Sequence, residues 1–403
     1  MSRIFLLICA FALVVAACSG EAAVTTTATG ATTADTVDES TTAAPTTTTT
    51  ADPTSATPPP AATATTIDQS TTVTTGPADF RSPLNGLPSE NEIKLDRRAI
   101  AIKIDNHPQA RPQSGVMDAD TVIEMRVEGG LTRFIAVFHD NESDFVGPNR
   151  SLRPTDSTVL ARIGAPLAVS GGQAWIQQLT NSRNVGFMKT DSNRGEADLN
   201  RTLEERDGEM EVTGDWCRTC GFRLSTRSAP HNLYTKTDLV RRGADAMELN
   251  NDPPLSLYPI VQWSIPETTA DQIVLVFSDR VTVTWDWDGD RYLRTHNGVV
   301  HEVQDREGDA QQMAVEVLVI LAGEFYTEYP PSGTDGSGVP TTDTLGSGPA
   351  WVFARGAVWE GTWERAEYTD EFTLKNADGT ITGVPAGFSW VSIFPESQPV
   401  TWE

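Results

Sequence analysis

Apolar and polar residues follow a regular pattern over the part of the chain beyond residue 80. Residues 98–104 form an almost continuous apolar run, which is typical of a strand buried on both faces of an α/β sheet. The prolines at positions 108 and 112 then favour an extended segment. A helix capped by Asp156, a strand over residues 167–170, and helices starting near Ala174 and Asp238 follow. These elements predict an N-terminal α/β domain with a mixed sheet.

Two segments of alternating polarity, residues 121–128 and 131–139, are separated by Gly129 and Gly130. This pattern predicts a β-hairpin with a two-residue turn. In that register Arg126 lies opposite Arg133, so their repulsion requires neutralisation by nearby acids or by a bound anion. A solvated ladder of charges is the simpler interpretation. The same register predicts one face with Ile123, Met125, Val127, Phe134 and Phe138, and another with Glu124, Arg126, Glu128 and Arg133.

The pattern changes after the turn-forming residues 250–254. Short strands separated by turn residues then predict a second, mostly antiparallel β domain. The expected strands cover residues 273–277, 281–287, 291–295, 315–321, 351–353, 358–363, 372–374 and 389–394. We therefore assign the chain to the α+β class, with an N-terminal α/β domain over residues 80–250 and a C-terminal β-rich domain over residues 251–403.

Residues 1–18 have the pattern of an export signal. Arg3 precedes an apolar run over residues 4–17 that is too short to span a bilayer as a helix, and small residues lead directly to Cys18. This arrangement resembles the lipobox of bacterial lipoproteins, in which the cysteine thiol is lipidated before cleavage. We expect cleavage before Cys18 and a lipid anchor, with palmitate among its acyl chains, on that residue. An ordinary secretory signal is the alternative.

Residues 19–79 are composed mainly of Thr, Ala, Ser and Pro, and they contain no Lys, Arg, Trp, Tyr or Phe. Such a segment cannot bury enough apolar surface to offset the entropy lost on ordering. We therefore expect a disordered tether between the lipid anchor and the folded part.

Charge and cysteine content narrow the classes of function. The formal net charge is −25 and the sequence contains no stripe of basic residues, which argues against nucleic-acid binding. Beyond Cys9 in the signal and the lipidated Cys18, only Cys217 and Cys220 remain. Outside the cell we expect these two to form a disulfide. A structural role is favoured over a redox role because the pair lies in a polar loop instead of at a helix start.

The chain resembles the YerB-like family of bacterial lipoproteins in several segments that occur in the family's order. These are IDNHPQARPQSG at 104–115, VEGGLTRF at 127–134, GPNRSLRP at 147–154, APHNLYT at 229–235, EGTW at 360–363 and GFSWV at 387–391. The resemblance extends from about residue 84 to the end and implies a two-domain lipoprotein of the bacterial envelope. It implies no reaction, since the family's biochemical role is unknown.

The polar residues of these segments are the candidate ligand-binding residues. They are Asp105, Asn106, Arg111, Gln113, Glu128, Arg133, Arg150, Arg153, His231 and Asn232. Four arginines in an acidic chain favour a pocket for carboxylate or phosphate, which a guanidinium binds through paired hydrogen bonds. A loop after a buried strand is also where α/β folds bind ligands. Alternatively, the arginines pair with the acids and lock the loops together.

No complete catalytic motif is present. A hydrolase would use Ser114 or Ser151 as nucleophile, His107 or His231 as base, and Asp105 to orient the base, but no local signature positions them. Asp105 and the two histidines also lack the spacing of metal ligands on one element. The sequence therefore predicts neither a metal nor a cofactor.

These observations predict an extracytoplasmic lipoprotein, anchored by its lipid to the outer face of the cell membrane. We expect it to bind an anionic envelope component, either a cell-wall polymer or a wall-synthesis protein, without catalysing a reaction. An envelope hydrolase or transferase that uses Asp105, His231 and a serine is the alternative.

Overall fold

The computed structural model describes residues 80–89 and 91–403. The predicted signal, Cys18 and the tether lie outside the described residues. The helices are α1 (Glu92–Leu95), α2 (Pro154–Ile163), α3 (Ala174–Ser182), α4 (Glu196–Glu205) and α5 (Thr237–Ala246). The strands up to residue 250 are β1 (Ile100–Asp105), β2 (Thr121–Arg126), β3 (Thr132–Phe138), β4 (Leu167–Val169), β5 (Phe187–Lys189), β6 (Val212–Thr213), β7 (Trp216–Cys217), β8 (Phe222–Arg223) and β9 (Leu233–Tyr234).

The strands beyond residue 250 follow one another without an intervening α-helix among the described residues. They are β10 (Gln272–Ser278), β11 (Val281–Trp287), β12 (Tyr292–His296), β13 (Val299–Val300), β14 (Glu302–Gln304), β15 (Ala310–Gln312), β16 (Ala314–Val315), β17 (Val317–Gly323), β18 (Phe325–Glu328), β19 (Val339–Thr342), β20 (Gly346–Ala354), β21 (Ala357–Arg365), β22 (Thr373–Lys375), β23 (Ile381–Thr382), β24 (Ser389–Pro395) and β25 (Val400–Trp402).

One sheet of 13 strands runs through both halves of the chain, in the order β23-β22-β21-β20-β17-β24-β2-β3-β1-β4-β5-β7-β6. On the N-terminal side β1, β4 and β5 are parallel and β3 is antiparallel to β1. On the C-terminal side β20, β21 and β22 pair antiparallel. Strand β24 pairs parallel with β2, so the sheet is continuous across the boundary predicted at residue 250. The α+β prediction is confirmed.

The strand predicted from the apolar run is confirmed as β1, and all six of its residues are buried. The apolar side chains of one sheet face pack with α2 and α3. Those of the other face pack with α5 and with a second sheet, which has the order β13-β12-β11-β10-β25, with β16 beside β12. The strand predicted over residues 315–321 is divided at Glu316, because β16 belongs to this second sheet and β17 to the large one.

The hairpin register predicted from the sequence is wrong by one residue. The connection is the three-residue 3-10 turn Glu128–Gly130, and Arg126 lies opposite Thr132 while Met125 lies opposite Arg133. One extra loop residue moves every side chain of a strand relative to its partner. As a result Phe134 shares a face with Glu124, and Arg126 does not face Arg133.

Helix α2 begins at Pro154, two residues before the predicted cap. Proline suits the first helical position because its missing N–H would have no partner in the helix. Asp156 occupies the third position, where its Oδ2 accepts a hydrogen bond from the backbone N–H of Arg153 at 2.7 Å. The carboxylate therefore stabilises the helix start from inside the first turn.

Candidate functional site

The candidate residues gather at the edge of the large sheet where the parallel strands β1, β4 and β5 end. Asp105 is the last residue of β1, and the segment at Arg150 runs beside it, with Arg150 N–H donating to the carbonyl of Lys103 at 2.9 Å. The carbonyl of Arg150 accepts a hydrogen bond from Ser170, directly after β4. The carboxyl edge of a parallel sheet is the usual ligand-binding position in α/β folds.

Asp105 is the centre of this arrangement, and only 2% of its surface is exposed. Its Oδ2 lies 2.7 Å from Nδ1 of His231 and 3.0 Å from Nε of Arg150. Its Oδ1 accepts a hydrogen bond from the backbone N–H of His107. Because a carboxylate only accepts, the proton of His231 sits on Nδ1. In the neutral ring Nε2 is then an acceptor.

The His107 ring stacks on the His231 ring, with 4.4 Å between the centroids and 15° between the planes. Nδ1 of His107 accepts a hydrogen bond from the backbone of Gln109. Burial and the neighbouring His231 lower the pKa of His107. The His107 ring therefore covers one face of the His231 ring that pairs with Asp105.

Two further arginines lie beside Asp105. Arg133 is its direct partner across β1 and β3, and Arg133 donates from Nη1 to the carbonyl of Ser151 at 3.1 Å. Burial and the neighbouring Arg153 lower the pKa of Arg133 to about 10. Arg153 itself forms a paired contact with Glu128, at 2.6 and 2.7 Å. Arg153 is therefore paired with an acid, as the second interpretation of the arginines expects, whereas the pairing of Arg150 is incomplete.

A second polar group lies on the opposite face of the same strands. Glu124, fully buried, accepts hydrogen bonds from Arg294 at 2.9 Å, from Thr132 at 2.7 Å and from the Trp390 indole at 2.9 Å. Thr132 in turn accepts from Asn106 at 2.8 Å. The guanidinium of Arg294 lies over the rings of Phe134, Trp285 and Trp390.

This group closes into a ring of hydrogen bonds. Arg294 Nε donates to Nδ1 of His301 at 2.9 Å, so His301 Nε2 carries the proton and donates to Gln113 Oε1 at 3.1 Å. Gln113 Nε2 donates to Asn106 Oδ1 at 2.9 Å, and Nε of Arg111 donates to the same oxygen. Burial and Arg294 hold the pKa of His301 well below its usual value.

Sequence reasoning missed the C-terminal members of this group. Arg294 and His296 occupy inward positions of the alternating strand β12, together with Tyr292. A charged residue in the apolar phase of a strand is the signal that could have identified them. Their partners, Glu124 on β2 and Arg111 in the segment after β1, lie 170 and 185 positions away, which no local pattern reveals.

The predicted nucleophiles do not contact the histidines. Ser114 is completely buried and Ser151 Oγ lies 3.3 Å from Ser170 Oγ. Asn232 Oδ1 accepts a hydrogen bond from Arg223 Nη1 at 2.6 Å, instead of joining the pair formed by Asp105 and His231. Within residues 80–89 and 91–403, no group of three or more His, Cys, Asp or Glu side chains could hold a metal ion.

Cys217 and Cys220 form a disulfide, as predicted. Both residues are completely buried, and the bridge packs against Gly243 of α5. A thiol-exchange partner therefore has no direct access to either sulfur.

Comparison with known proteins assigns the chain to a family. Residues 84–250 match the model "Protein of unknown function (DUF3048) N-terminal domain", and residues 273–391 match the C-terminal domain of the same family. The chain belongs to the DUF3048 family. The resemblance to the YerB-like lipoproteins is thereby confirmed. The DUF3048 family is described as one of unknown function, so membership assigns no reaction.

Two comparisons from Bacillus subtilis agree with this DUF3048 assignment. "Putative lipoprotein YerB" of strain 168 is 25% identical over 323 residues, which cover 79% of this chain and 87% of the relative. The crystal structure of the YerB protein matches with a TM-score of 0.61 at 23% identity, covering 80% of this chain and 99% of that one. Among the described residues, none of the helices combines the length and apolar character needed to cross a bilayer.

Proposed function

We propose that this protein is a lipid-anchored binding protein of the bacterial envelope that recognises an anionic ligand at the Asp105 cluster, defined as Asp105, His107, Arg133, Arg150 and His231. The observation that carries the proposal is the incomplete pairing of Arg150. Its Nε lies 3.0 Å from Asp105 Oδ2 without forming a hydrogen bond, and its two terminal nitrogens have no hydrogen-bond partner among the described residues. A planar guanidinium with two free NH2 groups suits carboxylate or phosphate.

The charge balance at the cluster supports an anion. Arg133, Arg150 and Arg153 face only two carboxylates, those of Asp105 and Glu128, so one positive charge is uncompensated. This local excess occurs in a chain of net charge −25. Against such a background, a positive site at the carboxyl edge of a sheet attracts an anion selectively. An anionic wall polymer is the ligand class that an envelope location would present.

The test measures binding of muramidase-released wall fragments to the full-length chain in detergent by calorimetry. Arg150→Gln removes the free donors and should weaken binding at least tenfold, which corresponds to about 1.4 kcal/mol. Arg291→Gln is the matched control because its side chain is exposed and pairs only with Asp290. Equal binding by both variants would exclude the Asp105 cluster as the anion site.

The proposed location rests on Cys18 and on the lipoprotein name of the B. subtilis relative. Cys18→Ser removes the thiol that would carry the lipid, so the protein should move from the membrane fraction to the soluble fraction of cells. Cys9→Ser is the control, since Cys9 lies within the predicted signal and should leave the distribution unchanged. Retention of Cys18→Ser in the membrane fraction would contradict lipidation at this residue.

An envelope hydrolase is the second candidate, and the 2.7 Å contact from Asp105 to His231 favours it. A carboxylate on Nδ1 orients an imidazole so that Nε2 can act as a general base. Activity profiling with a serine-reactive probe separates the two functions. Labelling of any serine that disappears in His231→Gln would establish hydrolase chemistry, whereas a binding protein gives no labelling.

A further inference from the structure

A cavity of about 190 Å³ lies between the turn after β1 and the edge of the second sheet. Its lining includes Arg111, His296, Val299, Val300, His301 and Glu302, and no member of the Asp105 cluster. This volume is below the range of pockets for drug-sized molecules, so it fits a small ligand or one end of a longer chain.

His296 lines this cavity and carries a buried donor without a partner among the described residues. Arg111 Nη2 lies 2.7 Å from His296 Nε2, and since a guanidinium only donates, Nε2 must be the acceptor. The remaining proton is then on Nδ1, which is buried and has no hydrogen-bond partner among the described residues. Burial, Arg294 and Arg111 lower the pKa of His296 to about 2, so the ring is neutral. A buried N–H without a partner costs about 1–3 kcal/mol, which a bound acceptor would recover.

Arg111 adds a second donor and an uncompensated charge. Its Nε and Nη2 are bonded to Asn106 and His296, but Nη1 has no partner in the described part of the chain. Two carboxylates act on Arg111, those of Glu124 and Asp105, and each is already paired, with Arg294 and with Arg150 respectively. Burial and Arg294 lower the pKa of Arg111 to about 10, and a bound anion would relieve the repulsion between the two guanidinium groups.

The rim of the cavity is apolar on one side and acidic on the other. Val299 and Val300 form the edge strand β13 of the second sheet, with 68% and 50% of their surface exposed. Glu302 is exposed and also lines the cavity. The donors inside suit a carboxylate, the valines suit an apolar side chain, and Glu302 suits an adjacent amide N–H or ammonium group.

We propose that this cavity binds an α-carboxylate that carries a small apolar side chain, either at the carboxyl terminus of a peptide or in a free amino acid. The carboxylate accepts from Arg111 Nη1 and satisfies His296 Nδ1, while the side chain rests on Val299 and Val300. This site is separate from the Asp105 cluster and does not depend on the function proposed for it.

Calorimetry with the full-length chain in detergent tests the site with three probes: the tripeptide glycyl-alanyl-valine, its carboxamide, and free valine. The free acid should bind at least tenfold more tightly than the carboxamide, because the carboxamide removes the charge that Arg111 recognises. Tight binding of free valine would identify an amino acid as the source. Binding of the tripeptide alone would identify a peptide terminus.

Val299→Asp places a negative charge on the rim and should weaken binding of the free acid at least tenfold. Ile381→Asp is the matched control, since Ile381 also lies on an edge strand and is 66% exposed, but it is remote from the cavity lining. Arg150→Gln should leave tripeptide binding unchanged, which separates this site from the Asp105 cluster. Equal binding of acid and carboxamide, equal effects of the two aspartate variants, or no binding of any probe would overturn the proposal.

Discussion

Replacement of Glu124 by glutamine tests whether the buried ion pair with Arg294 holds β2 against the second sheet. Both side chains are completely buried, and Glu124 accepts hydrogen bonds from Arg294, Thr132 and the Trp390 indole. Glutamine keeps the shape but turns one oxygen into an NH2 group, which must then face Arg294 or the Trp390 indole. Neither of these can accept a hydrogen bond. The Arg294 charge also loses its partner.

The expected cost is large because both side chains are completely buried. Removing one partner from a buried ion pair typically costs about 3–5 kcal/mol, since the other charge remains buried without compensation. Arg294→Met should cost a similar amount for the same reason. In the double variant neither charge remains, so its loss should be smaller than the sum of the single losses by about 2 kcal/mol or more.

Urea unfolding followed by tryptophan fluorescence provides the measurement, because Trp285 and Trp390 both lie against the Arg294 guanidinium. Glu364→Gln is the control, since the Glu364 pair with Lys375 is at the surface. Exposed pairs are worth about 0–1 kcal/mol. A loss below about 1 kcal/mol for Glu124→Gln, or strict additivity in the double variant, would refute the assigned role of this pair.

Three further predictions concern stability. Burial lowers the pKa of Lys103 to about 8, whereas its value in the unfolded chain is near 10.4. The free energy of unfolding should therefore rise by about 1–2 kcal/mol from pH 8 to 9.5. Urea titrations of Lys103→Met should not show this rise. Gly243→Ala would place a Cβ 2.3 Å from Cys220 Sγ, and we expect a loss of about 1–3 kcal/mol by thermal or urea unfolding. Burial raises the pKa of Glu128, but the contacts with Arg153 oppose this and the net shift is downward. The stability that this pair contributes is therefore present above about pH 4.3 and is lost on acidification. Arg153→Ala should flatten that acid dependence.

Local pattern was sufficient for the strands and helices whose burial repeats along the chain. The apolar run became β1, and short strands predicted in the C-terminal half became β10, β11, β12 and β24. These elements bury side chains on a simple period, which the sequence displays directly. The hairpin register was wrong because the turn was read as two residues, whereas the chain uses the three residues Glu128–Gly130.

The Asp105 cluster and the buried group around Glu124 could not be assembled from local pattern, because their members come together only in the tertiary structure. The sequence indicated that Asp105, Arg150 and His231 lie in polar loops, but not that the carboxylate joins the other two. His231 is 126 positions from Asp105, and Arg294 is 170 positions from Glu124. Contacts over such separations require the sheet to be assembled first.

By itself, the sequence predicted an export signal ending at Cys18, and it determined the α+β class and the polar residues from which a site could be built, because these properties depend on composition and short periods. The tertiary structure decided which of those residues are paired. It joined β24 to β2 in one sheet and brought β12 over Glu124, thereby burying Arg294. Among the described residues it also left Arg111, Arg150 and His296 with unpartnered donors, because their neighbours in the fold are largely other donors.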